Sequence, residues 1–137
     1  MNKNYEKIYS AACAARANAY VPYSRFSVGA VLVLGDGTFI TGANIENASY
    51  SLTVCAERAA LAAAYSAGVR KEDIVMLAVV GDTVCPTAPC GACRQVISEL
   101  MPPDASIVLF NLKQDIKTLK VKDLLPFPFT EGDLNNE

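Results

Sequence analysis

The amino-acid sequence predicts an α/β fold, in which helices and buried strands are layered around one mixed sheet. Three observations carry this prediction. Residues 74–80, Ile-Val-Met-Leu-Ala-Val-Val, form an almost unbroken apolar run, the pattern of a strand covered on both faces. Two further apolar runs, 27–34 and 38–45, flank Gly35-Asp36-Gly37, and Asp-Gly between such runs signals a hairpin. Helical segments are separated by these strands, so the element types alternate along the chain.

Each element has its own local signal. Tyr5, Ile8, Tyr9 and Ala12 fall at i, i+3, i+4 and i+7, which predicts an amphipathic first helix. Pro22 disfavours its continuation, so it is expected to end near Tyr20. The polar stretch 44–50 reads as a loop. An Ala-rich second helix is expected over 55–67, closed by Gly68. Pro86, Pro89 and Gly91 break the chain before a third helix over 91–101, which Pro102-Pro103 stops. Residues 106–110 and 116–119 read as strands, and 121–125 as a helical turn before Pro126. The polar tail from about 131 is expected to be loose. The order is α-β-β-α-β-α-β-β. With no repeat, low-complexity tract or linker, a single domain is expected over 1–137.

Composition narrows the function. At 137 residues, 52% hydrophobic and 19% charged, the chain is globular. Its formal net charge is −2 and it has no block of Lys or Arg, which argues against nucleic acid as a partner. A small neutral or weakly charged substrate fits better. Glu6, Arg16 and Asn18 interrupt the Ala-rich N-terminus, so it lacks the apolar core of a signal peptide. No apolar stretch is long enough to span a membrane. The expectation is a cytoplasmic protein.

Five cysteines (Cys13, Cys55, Cys85, Cys90 and Cys93) and no histidine are present. An odd number in a reducing compartment argues against a disulfide framework. Without histidine, a metal site must use thiolates or carboxylates. Cys90 and Cys93 stand three apart at the start of the third helix, which puts both sulfurs on one face. That face continues through Val96, Ile97 and Leu100. On the second helix Glu57, Ala60, Leu61 and Ala64 form the matching stripe, with Cys55 at its start. If the two helix N-termini meet, three sulfurs and one carboxylate converge, and three protein ligands leave the fourth tetrahedral position of zinc open, as in catalytic sites. Helix N-termini also stabilise thiolates. Three thiolates and one zinc ion still sum to a negative charge, and Arg58 is the expected compensating donor. Cys13 and Cys85 are expected to be ordinary packed cysteines.

Cys55-Ala56-Glu57 with Pro89-Cys90-Gly91-Ala92-Cys93 resembles the Cys-ligated form of the zinc-deaminase signature, as found in the small homotetrameric cytidine deaminases. The resemblance extends from Tyr20-Val21-Pro22-Tyr23-Ser24 through Phe26-Ser27-Val28-Gly29-Ala30 and Asn44-Ile45-Glu46-Asn47-Ala48 to Leu124-Leu125-Pro126. It implies a three-layer cytidine-deaminase-like sandwich, with a mixed five-stranded sheet and helices on both faces. It implies one zinc per chain on Cys55, Cys90 and Cys93, and hydrolytic deamination of free cytidine and deoxycytidine, with hydroxide generated at the metal attacking C4 while Glu57 shuttles protons. Asn44 and Glu46 are similar to the pair that binds the ribose 3′-hydroxyl, Phe26 to an aromatic that packs on the nucleoside, and the Ala56 backbone to a contact with the base edge. The resemblance also implies a homotetramer in which an aromatic near the C-terminus reaches a neighbouring site. Phe129 is the matching position; Phe127 departs from the usual small residue. Deaminases of other small substrates, such as blasticidin S, share the Cys-Ala-Glu and Pro-Cys-Gly-x-Cys segments, but Phe-Ser-Val-Gly-Ala and Asn-Ile-Glu-Asn favour plain cytidine. A structural zinc module would normally supply a fourth protein ligand.

Overall fold

The computed structural model describes residues 1–135. Its elements in chain order are α1 (Lys3–Arg16), β1 (Val28–Leu34), β2 (Phe39–Ala43), α2 (Ala56–Ser66), β3 (Ile74–Gly81), α3 (Gly91–Leu100), β4 (Ser106–Asn111), β5 (Ile116–Lys120), α4 (Val121–Leu124) and α5 (Glu131–Leu134). The strands form one sheet in the order β2-β1-β3-β4-β5. Only β3 and β4 pair in parallel, and α3 lies in the connection between them, as a parallel crossover requires.

The apolar run of β3 sits at the centre of the sheet, and its alternate side chains feed two cores. Ala78 and Val80, with Val31, Val108 and Phe110, pack under Ile8 and Ala12 of α1. Leu77 and Val79, with Ala30, Leu32, Ile107 and Leu109, pack against Ala60, Leu61 and Ala64 of α2 and Ile97 of α3. The period-2 alternation of strand side chains thus explains why β3 is apolar throughout. Tyr65 donates its hydroxyl to the Leu100 carbonyl at 2.8 Å, tying α2 to α3.

Two expected boundaries move. The first helix ends at Arg16, well short of Tyr20. Tyr20 is drawn into extended pairing instead: its N–H donates to the Asn44 carbonyl at 3.0 Å and its carbonyl accepts from Glu46 N–H at 2.8 Å. The same pairing makes the 44–50 stretch less irregular than its polarity suggests, because Ile45 also bridges Val54. The tail expected to be loose from Glu131 begins with α5, where Asp133 caps the Thr130 N–H at 2.8 Å.

The topology places one end of the central strands under the two cysteine-bearing motifs of the sequence. β1 runs antiparallel to both β2 and β3, so the C-terminal ends of β2 and β3 lie beside the start of β1. Gly29 faces Ala43, and Val28 faces Gly81, at this end. The segments that leave β2 and β3 here lead to the first turns of α2 and α3. Gly42 permits the approach of α2: a Cβ at this position would lie 2.5 Å from both the Ala56 carbonyl oxygen and the Ala60 nitrogen.

Candidate active site

Cys55 and Cys90 are the N-cap residues of α2 and α3, and neither side chain caps its helix. Cysteine is not a favoured capping residue, and here the sulfurs turn toward each other. Cys93, one turn into α3, completes a trio whose sulfurs all lie within 4.8 Å of one another. Cys55 Sγ and Cys90 Sγ are 3.9 Å apart. Zn–S bonds of about 2.3 Å at tetrahedral angles place sulfurs roughly 3.8 Å apart. The trio therefore fits zinc in spacing and in donor chemistry. Cys93 is fully buried, while Cys55 and Cys90 face a cavity.

Arg58 is the positive group beside the trio. Arg58 Nη2 donates to Cys55 Sγ at 3.4 Å. Hydrogen bonding from Cys93, together with Arg58, pulls the Cys55 thiol down to about 5, whereas bonding to Cys55 and burial push Cys93 well above the usual thiol range. Cys55 thus ionises before Cys93. The Arg58 guanidinium is held charged by its contact with Cys55. Its Nε is buried without a hydrogen-bond partner, leaving a further donor beside the first turn of α2. Arg94 braces the other ligand segment: Nε donates to the Pro89 carbonyl at 2.9 Å and Nη1 to the Leu124 carbonyl at 3.0 Å.

Next to the sulfurs is a cavity of about 150 Å³, walled by Phe26, Val28, Asn44, Cys55, Ala56, Glu57, Thr87, Ala88 and Cys90. Glu57 is only 4% exposed, and burial pushes its carboxyl above the usual carboxylate range. Asn44 is buried and holds the backbone on either side of Ser27: Nδ2 donates to the Phe26 carbonyl at 2.7 Å and Oδ1 accepts from Val28 N–H at 2.9 Å. That leaves one Nδ2 hydrogen free. Glu46 lies outside this wall. Its Oε1 accepts from the N–H groups of Tyr23 and Ser24 at 3.0 and 3.1 Å, and its Oε2 from the Ser24 hydroxyl.

The fold therefore brings Cys55, Ala56, Glu57, Cys90, Phe26 and Asn44 to one cavity, with Cys93 and Arg58 behind it. Phe129 is not among them. It lines a separate groove with Tyr65, Arg70 and Leu100, and its carbonyl accepts from Gln95 Nε2 at 3.0 Å. Cys13 and Cys85 take no part in the sulfur trio. Sequence reasoning missed Thr87 and Ala88 as cavity walls; their only signal was the position between Pro86 and Pro89. It also missed Ser24, whose partner lies 22 residues away.

Residues 2–109 match the family described as the cytidine and deoxycytidylate deaminase zinc-binding region, and the chain belongs to this family. It is similar to the cytidine deaminase of Halalkalibacterium halodurans, 59% identical over 122 residues that cover 89% of this chain and 91% of that protein. It is 51% identical to the cytidine deaminase of Sporosarcina psychrophila over 130 residues, 95% of this chain and 94% of that one. The crystal structure of cytidine deaminase from Burkholderia pseudomallei superposes with a TM-score of 0.89 at 50% identity, covering 94% of this chain and 100% of that chain.

Proposed function

We propose that this chain is a zinc-dependent cytidine and deoxycytidine deaminase, converting the nucleoside and one water to uridine or deoxyuridine and ammonia. The observation that carries the reading is a cluster of three metal-competent sulfurs beside one small cavity that a buried carboxyl, Glu57, also lines. Cys55, Cys90 and Cys93 would hold one zinc ion, which would supply the Lewis acidity that makes water nucleophilic near neutral pH.

The chain's own residues do the rest. Glu57 accepts a proton from the attacking water and delivers it to N3 of the pyrimidine; it then passes the remaining proton of the new C4 hydroxyl to the amine, so that the C4–N bond breaks, ammonia leaves and the C4 carbonyl forms. Its raised proton affinity suits a group that must take a proton from water before passing it on. Arg58 withdraws charge from the Cys55 sulfur. The Ala56 backbone meets the base edge and Phe26 packs on the nucleoside. Asn44 has one donor left and Glu46 one acceptor position, and a single sugar hydroxyl, which both donates and accepts, satisfies the two together. A neutral polyol is bound this way without Lys or Arg.

The cavity is well below the roughly 300–1,000 Å³ of small-molecule sites. Phe129 and the wholly exposed Phe127 lie outside it. Both features support a homotetramer in which Phe129 of one subunit covers the base in another. A role in pyrimidine salvage in the cytoplasm follows from a free nucleoside substrate. Among the described residues, no helix is long and apolar enough to cross a membrane.

Release of ammonia from cytidine by the purified, zinc-loaded protein tests the reading. A protein that binds zinc through the trio yet releases no ammonia from cytidine or deoxycytidine would be a structural zinc module instead.

A further inference from the structure

Ser24 is accounted for neither by the metal chemistry nor by the proposed nucleoside contacts. It lies on the turn between Tyr20, which pairs with residues 44 and 46, and the start of β1. Its hydroxyl makes two bonds at once, donating to Glu46 Oε2 and accepting the Phe26 N–H at 3.0 Å. Its backbone N–H donates to Glu46 Oε1 at 3.1 Å, beside the Tyr23 N–H at 3.0 Å. Between Ser24 and Phe26, Arg25 has φ 58°, a left-handed conformation uncommon for a residue other than glycine. The turn is held in this conformation by bonds on both sides, with the Arg25 N–H also donating to the Val21 carbonyl at 3.0 Å.

We propose that Ser24 is a positioning residue for sugar recognition: its hydroxyl locks the Glu46 carboxylate and the Phe26 backbone into one arrangement, so that the hydroxyl acceptor and the aromatic wall are set together. The inference rests on the reading of Glu46 and Phe26 as nucleoside contacts. A carboxylate offers about four acceptor positions. Tyr23 N–H, Ser24 N–H and the Ser24 hydroxyl fill three of them, leaving one on Oε2. Without the Ser24 hydroxyl, Oε2 loses its fixed partner and the carboxylate is held at Oε1 alone. Phe26 N–H loses its acceptor in the same stroke. Hydrogen bonding to Ser24 also keeps Glu46 ionised, below the usual carboxylate range. None of these contacts involves Glu57 or the sulfurs, so binding changes while the chemical step does not.

The test measures KM and kcat of the zinc-loaded enzyme for cytidine and for 3′-deoxycytidine, in wild type, Ser24→Ala, Ser24→Thr and Glu46→Gln. Ser24→Ala is expected to raise KM for cytidine about 10-fold or more, the scale of a hydrogen bond to a charged group. Its kcat is expected to stay within about twofold of wild type, as for loss of uniform binding. Its KM for 3′-deoxycytidine, which lacks the hydroxyl that Glu46 would receive, should rise far less, reflecting only the loosened Phe26 wall. Ser24→Thr, which keeps the hydroxyl, should restore KM for cytidine. A Ser24→Ala enzyme that loses both substrates equally, or is not rescued by Thr, has lost general loop structure, and the proposal is overturned. The same holds if Glu46→Gln abolishes discrimination between the two substrates but Ser24→Ala leaves it intact. If Glu46→Gln itself leaves the discrimination unchanged, Glu46 is not the sugar contact and the proposal falls together with the reading beneath it.

Discussion

At Glu57 two demands meet. Burial favours its protonated form, while the proposed first step needs an acceptor for a proton from water. The Arg58 guanidinium acts against burial, favouring the carboxylate. Glu57→Gln preserves size and polarity but cannot carry the proton. It is expected to retain zinc and lower kcat by about 10²–10⁴-fold, measured by metal analysis and ammonia release on the same preparation. The sulfurs separate similarly. Cys55→Ala, Cys90→Ala and Cys93→Ala should lose zinc or bind it weakly, whereas Cys13→Ala and Cys85→Ala should keep one ion per chain. Full zinc in any of the first three would remove that cysteine from the ligand set. Glu46 supplies a pH dependence. Bonds from Ser24 hold its carboxyl below the usual range, so the stabilisation is complete above the unfolded value of about 4.3 and is lost as pH falls through the folded one. The difference in urea midpoint between wild type and Ser24→Ala should be present at pH 7 and narrow below about pH 4. A constant difference across that range would detach Ser24 from the ionisation of Glu46.

At the level of elements, the close approach of α2 to β2 is what brings Cys55 and Glu57 to the cavity. Gly42→Ala sets a methyl 2.5 Å from two backbone atoms of α2, which cannot swing aside as a side chain can. The helix must shift, at a cost of about 1–3 kcal/mol for overpacking, and zinc affinity should fall with it. A denaturation midpoint and a zinc titration on the variant check both effects. The same elements show what was legible beforehand. β3 declared itself through an apolar run covered on both faces, and the β1–β2 hairpin through its Asp-Gly turn. The trio was legible because Cys-x-x-Cys and Cys-x-Glu each sat at a predicted helix start, where spacing alone decides which side chains share a face. The end of α1 was not legible. Ala17, Asn18 and Ala19 carry no stop signal, and the helix yields to pairing of Tyr20 with residues 44 and 46, a contact between segments far apart in sequence. Ser24 and Thr87 stayed hidden for the same reason: each gains its place from a partner that folding, rather than local pattern, brings near.

For the whole molecule, the question is what closes the cavity. One chain leaves Phe127 wholly exposed and Phe129 58% exposed, and exposure of such side chains forgoes roughly 1.5–3 kcal/mol each. Phe127 also sits at φ 53°, where side chains other than glycine are strained. A neighbouring subunit that takes up this segment gives the exposed aromatics a place to bury. Sedimentation should therefore show a tetramer. Truncation after Pro128 should raise KM for cytidine sharply while zinc content stays constant. A monomer, or an unaltered KM in the truncated enzyme, rules out a site shared between subunits.

Cys55 and Cys90 begin two different helices, and neither helix has a side-chain cap of its own. An ion joining them acts as a clasp across that end of the sheet. The first turns of α2 and α3 then cease to fray independently, so their amide protons should exchange with solvent slowly and in concert when the metal is bound, and rapidly and separately once a chelator removes it. The slow protons of β3, sealed between two cores, should be indifferent to the chelator. Metal occupancy would thus be readable as a pattern of isotope exchange confined to one rim of the protein.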